Sequence, residues 1–207
     1  MPKEILLEQL LDQLSSKSGA PGGGSVASLA GAFSAAMILM VCNLTIGKKK
    51  YQHYEDEINE CLEKAQKLRE EFLLLSDKDA EVFNEVLKAY QLPHESEEEK
   101  DQRITAVEEA TKRASLVPMD ILRRCEILSK LSRDVTIKGN ENSISDAGVA
   151  AIMAHAAAQA ASLNILINLS TISDEDFRSK LKTEQEHVLK TVNDIFSETM
   201  NMVKDKL

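Results

Sequence analysis

Only four prolines and eight glycines punctuate the 207 residues, while 43% of the side chains are hydrophobic and 29% charged. Collagen-like, low-complexity and disordered chains are thereby excluded, and a chain of this length can bury a single sizeable core. We read residues 1–207 as one domain. There is no excess of basic residues: 25 Lys and Arg face 34 Asp and Glu, a formal charge of -9. Neither a phosphate backbone nor an anionic membrane surface would attract such a chain over its whole surface. Cys42, Cys61 and Cys125 cannot all pair and form no CxxC spacing, and no basic-then-apolar leader opens the sequence. A disulfide framework and a structural zinc site are poor readings, and a reducing cytoplasm is the expected setting.

Two stretches have almost no charge, Val26 to Ile46 and Ala147 to Leu169, the second with only His155. They lack the dense Leu, Ile, Val and Phe content and the aromatic flanks of membrane spans. Their Ala, Ser and Gly instead suit close helix crossings, inside a bundle or across a dimer interface. Every long stretch carries helical and not two-residue periodicity, so the fold class is all-α, a bundle of about seven helices around a buried, Ala-rich central helix. A short first helix from Ile5 to Leu14 stops at Ser18-Gly19-Ala20-Pro21, and an amphipathic segment runs from Tyr51 to Tyr90. Ser96 and Glu99 form a capping box, Pro118 starts or kinks a helix that ends at Gly139-Asn140, Ser143 or Ser145 caps the next, and Ser173-Asp174-Glu175-Asp176 opens the last.

Within Tyr51 to Tyr90, Leu68, Phe72, Leu75, Val82, Phe83, Val86 and Tyr90 form an apolar stripe, and Asp79 lies inside it. A buried carboxylate is costly, so Asp79 either has a buried hydrogen-bond partner or lines a cavity that needs its charge. Pro21-Gly22-Gly23-Gly24-Ser25 precedes a helix and offers backbone N–H groups, yet no Gly-Lys-Ser/Thr follows as in a P-loop, and a tight turn explains it as well. Lys48 and Lys50 close the second helix, either as solvated cations at its negative end or as holders of a carboxylate-bearing ligand. Asn43, Asn164 and Asn168 interrupt apolar faces, and Ser145-Asp146 opens an Ala-rich helix; such groups satisfy helix ends or line polar sites. The four histidines have no spaced metal-ligand mates.

Taken in order, Pro21-Gly22-Gly23-Gly24-Ser25-Val26-Ala27, Met40 to Tyr51, Asp79-Ala80-Glu81-Val82-Phe83, Ser145-Asp146-Ala147-Gly148 and Asn164 to Asn168 resemble the cyclodeaminase/cyclohydrolase family of folate enzymes over essentially the whole chain. The resemblance implies an all-α subunit that forms a homodimer or a dimer of dimers. It also implies a tetrahydrofolate site lined by the glycine loop, and a catalytic aspartate at Asp79. Pro21, Gly22, Gly23, Gly24, Ser25, Asn43, Lys48, Lys50, Ser145, Asp146 and Asn164 are the expected substrate contacts. The expected partners are one-carbon derivatives of tetrahydrofolate, with or without a polyglutamate tail that Lys48 and Lys50 would hold; no cofactor beyond that substrate, no metal, and no nucleic-acid or membrane partner is expected. No formiminotransferase half accompanies this chain, so it is expected to act alone or with separate partners.

The stretches around Met40–Tyr51, Leu92–Lys100 and Ile144–Ala150 resemble stand-alone methenyltetrahydrofolate cyclohydrolases more than formimidoyltetrahydrofolate cyclodeaminases. Hydrolysis of 5,10-methenyltetrahydrofolate to 10-formyltetrahydrofolate is therefore the expected activity. The ammonia-releasing cyclodeaminase reaction is the alternative, and a non-catalytic helical assembly scaffold is a third possibility.

Overall fold

In the computed structural model, which describes residues 6–207, every regular element is helical. The six α-helices are α1 (Leu7–Leu14), α2 (Gly23–Asn43), α3 (Glu55–Tyr90), α4 (Glu97–Lys138), α5 (Ile144–Leu169) and α6 (Glu175–Lys206), with short 3-10 segments at Lys49–Tyr54 and Glu141–Ser143. Ile5, the expected start of the first helix, lies outside the described residues.

Six helices replace the expected seven because Pro118 does not divide α4. The ring sits buried in mid-helix, flanked on both sides by buried residues such as Ala114, Val117, Ile121 and Leu122, on a helix that packs against α3, α5 and α6. Tertiary contacts there override the missing N–H and the clash that end isolated helices at proline. The ends themselves follow local chemistry. Ser96 Oγ accepts from the Glu99 amide at 3.2 Å while the Glu99 carboxylate accepts from the Ser96 amide at 3.0 Å. Asp174 caps α6 by accepting from the Phe177 amide at 3.0 Å. Ser143 occupies the cap position of α5 without a side-chain bond; the Asn140 side chain instead accepts from the Asn142 amide.

Small residues decide how α2 and α5 meet. Ala147, Ala150, Ala154, Ala157, Ala158 and Ala161 are almost wholly excluded from solvent, and Ser34 Oγ donates to the Ala150 carbonyl at 2.8 Å across the crossing. On its other flank α2 runs antiparallel to α3, with Gly31 beneath the Phe72 ring; a Cβ on Gly31 would stand 2.6 Å from Phe72 Cδ1. Both α2 and the Glu141–Leu169 segment have the length and apolarity to cross a bilayer, and here they pack against one another at the centre of the bundle.

The expectation that α2 is buried all round is corrected. Val26, Phe33 and Met40 are 43%, 56% and 38% exposed, so one stripe of the helix faces outward. On α5, Val149, Ile152, Leu163 and Ile167 continue this uncharged outer face.

Candidate active site

Antiparallel packing brings the glycine turn at the start of α2 onto the middle of α3. There Ser25 Oγ donates to Asp79 Oδ2 at 3.0 Å and lies 3.2 Å from the Ser76 carbonyl. Gly22 to Ser25 begin α2, so their amides have no partner within the helix and the positive end of its dipole points at the carboxylate. Glycine is required for this approach, since a Cβ on Gly24 would overlap the Asp79 carboxyl group. Gly19 adopts φ +73°, a left-handed conformation that turns the chain beside Phe83.

Asp79 has a buried hydrogen-bond partner in Ser25, and its carboxylate also faces a cavity of about 180 Å³. The glycine turn forms one wall, Val82, Phe83 and Val86 of α3 form the apolar side, Ala114 of α4 forms the floor, and Asn164 and Asn168 of α5 close it. The Asn164 amide is anchored by donating to the Ala160 carbonyl at 2.8 Å. Burial pushes the Asp79 pKa above the ordinary carboxylate value, although Ser25, through hydroxyl and amide, pulls the other way. A desolvated carboxylate with a raised pKa, facing a cavity with apolar walls, is suited to accept a proton and to stabilise a cationic reacting centre.

Of the expected contacts, Gly22, Gly23, Gly24, Asp79 and Asn164 meet in this cavity, Ser25 supports Asp79 from behind, and Pro21 belongs to the turn. Asn43, Lys48, Lys50, Ser145 and Asp146 gather at the opposite end of the chain's α2–α5 pair. The 21 residues of α2 separate the two groups by about 30 Å at 1.5 Å per residue. At that far end Lys50 is ion-paired with Glu141, and buried Asn140 joins the segments by donating from its amide to Thr45 Oγ1 at 2.9 Å and from its side chain to the Leu44 carbonyl at 3.1 Å. Sequence reasoning did not place Phe83, Val86 or Ala114 at the cavity; their spacing matched that of core residues. Asn168 carried a signal, as an amide four residues beyond Asn164.

Comparisons with known proteins bear on the same arrangement. Residues 6–187 match the formiminotransferase-cyclodeaminase family. A methenyltetrahydrofolate cyclohydrolase of Methylorubrum extorquens is 39% identical over 97% of this chain and 97% of its own length. The formimidoyltransferase-cyclodeaminase of Sus scrofa is 30% identical over 87% of this chain, which spans 34% of that longer protein. Among solved structures, formiminotetrahydrofolate cyclodeaminase of Thermotoga maritima superposes with a TM-score of 0.89 at 33% identity, covering 98% of this chain and 97% of the other.

Proposed function

The chain belongs to the formiminotransferase-cyclodeaminase family, and from that premise we propose that it hydrolyses 5,10-methenyltetrahydrofolate to 10-formyltetrahydrofolate with Asp79 as general base. The observation that carries the reading is the desolvated Asp79 carboxylate facing an apolar-walled cavity. Water attacks the methenyl carbon while Asp79 accepts one of its protons. As the bond from that carbon to nitrogen-5 breaks, the carbinol oxygen becomes the formyl carbonyl and its remaining proton passes to nitrogen-5, while the proton held by Asp79 is released to solvent. The Asp79 charge offsets the amidinium cation, and the apolar walls strengthen that interaction by excluding bulk water. The substrate carbon is already electrophilic, so the reaction needs neither a metal nor a redox cofactor.

The cyclodeaminase reaction uses the same centre, with nitrogen-10 in place of water and ammonia as leaving group; the Thermotoga maritima relationship supports it. We favour hydrolysis because the Methylorubrum extorquens cyclohydrolase matches at higher identity along its whole length. Supplying 5,10-methenyl- and 5-formiminotetrahydrofolate in parallel decides between them. Faster turnover of the methenyl substrate is expected, and turnover of the formimino substrate alone would assign the deaminase.

We also propose that the protein is a cytoplasmic homodimer, or a dimer of dimers, formed through the uncharged outer face of α2 and α5. Phe33 and Leu163, 56% and 68% exposed, are the large apolar side chains that a second copy would cover.

A further inference from the structure

A second trough, about 390 Å³ in volume, lies between the last turn of α3, the first turns of α4 and the loop after α5. It lies beyond the Asp79 cavity along the same three helical segments. On α3, Asp79, Phe83, Val86 and Tyr90 follow at steps of four, three and four, one face of one helix; the first three border the cavity and Tyr90 borders the trough. On α4, Ala114 of the cavity is followed by Val107 and Arg103 of the trough, seven and eleven residues back along the same face. Beyond the end of α5, Thr171 follows Asn168 one turn on. Three strips thus lead from the carboxylate towards the trough, beyond the start of α2. From Asp79 to Tyr90 the distance along α3 is about 16 Å.

Chemistry changes along this path. Near Asp79 the walls are apolar, with two amides. Farther out, Tyr90 and Ile104 offer exposed apolar surface, and the rim carries Arg103, Lys100 and His94. The Arg103 guanidinium lies 6.0 Å from the centre of the Tyr90 ring, which holds it beside an aromatic floor. The acidic side chain of the trough, Glu108, is already engaged: it accepts from the Asp174 amide at 2.9 Å and lies 3.8 Å from Lys112. Lys100 pairs with Glu97 on the exposed surface, a contact weak enough for a better-placed carboxylate to displace.

We infer that this trough is the subsite for the p-aminobenzoyl-glutamate end of the substrate, with the ring on Tyr90 and Ile104 and the glutamate carboxylates on Arg103 and Lys100. The inference rests on the folate reading of the Asp79 cavity. It also relieves Lys48 and Lys50 of the role of anchoring the acidic tail within one chain.

The test is equilibrium binding of 5-formyltetrahydrofolate as monoglutamate and triglutamate, and of the pteroate analogue lacking glutamate, to wild type and to Arg103→Ala and Lys100→Gln variants. Each variant should lose about 10-fold in affinity for the glutamylated ligands, the scale of one charge-assisted hydrogen bond, and should bind the pteroate analogue like wild type. Turnover should keep its kcat and show a raised KM. Equal losses for all three ligands, no loss at all, or a tail-dependent loss confined to Lys48→Gln and Lys50→Gln would overturn the subsite. Unchanged helicity and thermal midpoint exclude misfolding as the cause. Wild-type protein that binds folates by their tails yet turns over neither one-carbon substrate would sink the proposed reaction and leave the subsite standing. Wild-type protein that binds no folate would overturn both.

Discussion

Gly24 and Asp79 fit each other so closely that a Cβ on the glycine would stand 2.5 Å from the aspartate Cγ and 2.7 Å from its Oδ2. The start of α2 can rest on the carboxylate only because that side chain is missing. Gly24→Ala must push Asp79 away from Ser25 and into the cavity, so turnover should fall by about 10-fold or more, the scale on which small misplacements of catalytic groups act. Gly23→Ala should be milder, because its Cβ would meet the Asn164 side-chain amide at 3.3 Å, a group that can shift. Steady-state kinetics on the two variants, with helicity as control, checks the order.

Ser25 works against burial in setting the protonation of its neighbour. Its hydroxyl donates to Asp79 Oδ2 at 3.0 Å and favours the charged carboxylate. Ser25→Ala removes that bond and leaves burial unchanged, so the acid limb of the kcat/KM profile should move to higher pH while the plateau changes little. A limb that stays in place would show that another group titrates.

The stability effect of Asp79 has a definite sign. Its folded pKa is raised above the unfolded carboxylate value by burial. The group therefore contributes most favourably when protonated, below the unfolded value of about 3.9, and that contribution is lost as pH rises through the folded value. Asp79→Asn should raise the thermal midpoint at neutral pH, and the gain should shrink towards zero as pH falls to about 4. Calorimetry across that range measures it.

Assembly is tested on the outer face. Light scattering should give a dimer or larger for the wild type, and Phe33→Glu or Leu163→Glu should yield folded protein of lower mass. A wild-type monomer at micromolar concentration contradicts the proposed interface.

Much of this was legible in the sequence. Asp79 stood out because one charge inside an apolar stripe must be accounted for, and the small residues of α2 and α5 marked a close crossing. Pro118 misled because its cost is local while the packing that offsets it comes from α3, α5 and α6. The Asp79 cavity and the trough beyond it were not legible. Phe83, Val86 and Tyr90 continue the spacing of core residues such as Phe72, and periodicity reports that residues share a face without reporting what covers that face. Because α2 begins opposite Asp79, no turn of that helix covers Phe83 or Tyr90, which stay partly exposed, and side chains resembling core become the wall of a site. The separation of Lys48 and Lys50 from the glycine turn was likewise hidden, since it depends on α2 being one straight helix between them.

The most direct measurement is turnover per folded molecule for Asp79→Asn on 5,10-methenyltetrahydrofolate. Asparagine preserves shape but neither accepts the proton nor offsets the amidinium charge, so the rate should fall by about 100-fold or more, the scale of general-base removal, while the thermal midpoint holds or rises. A variant that melts several degrees lower yet keeps near wild-type turnover per folded molecule would contradict the account and return Asp79 to a structural role.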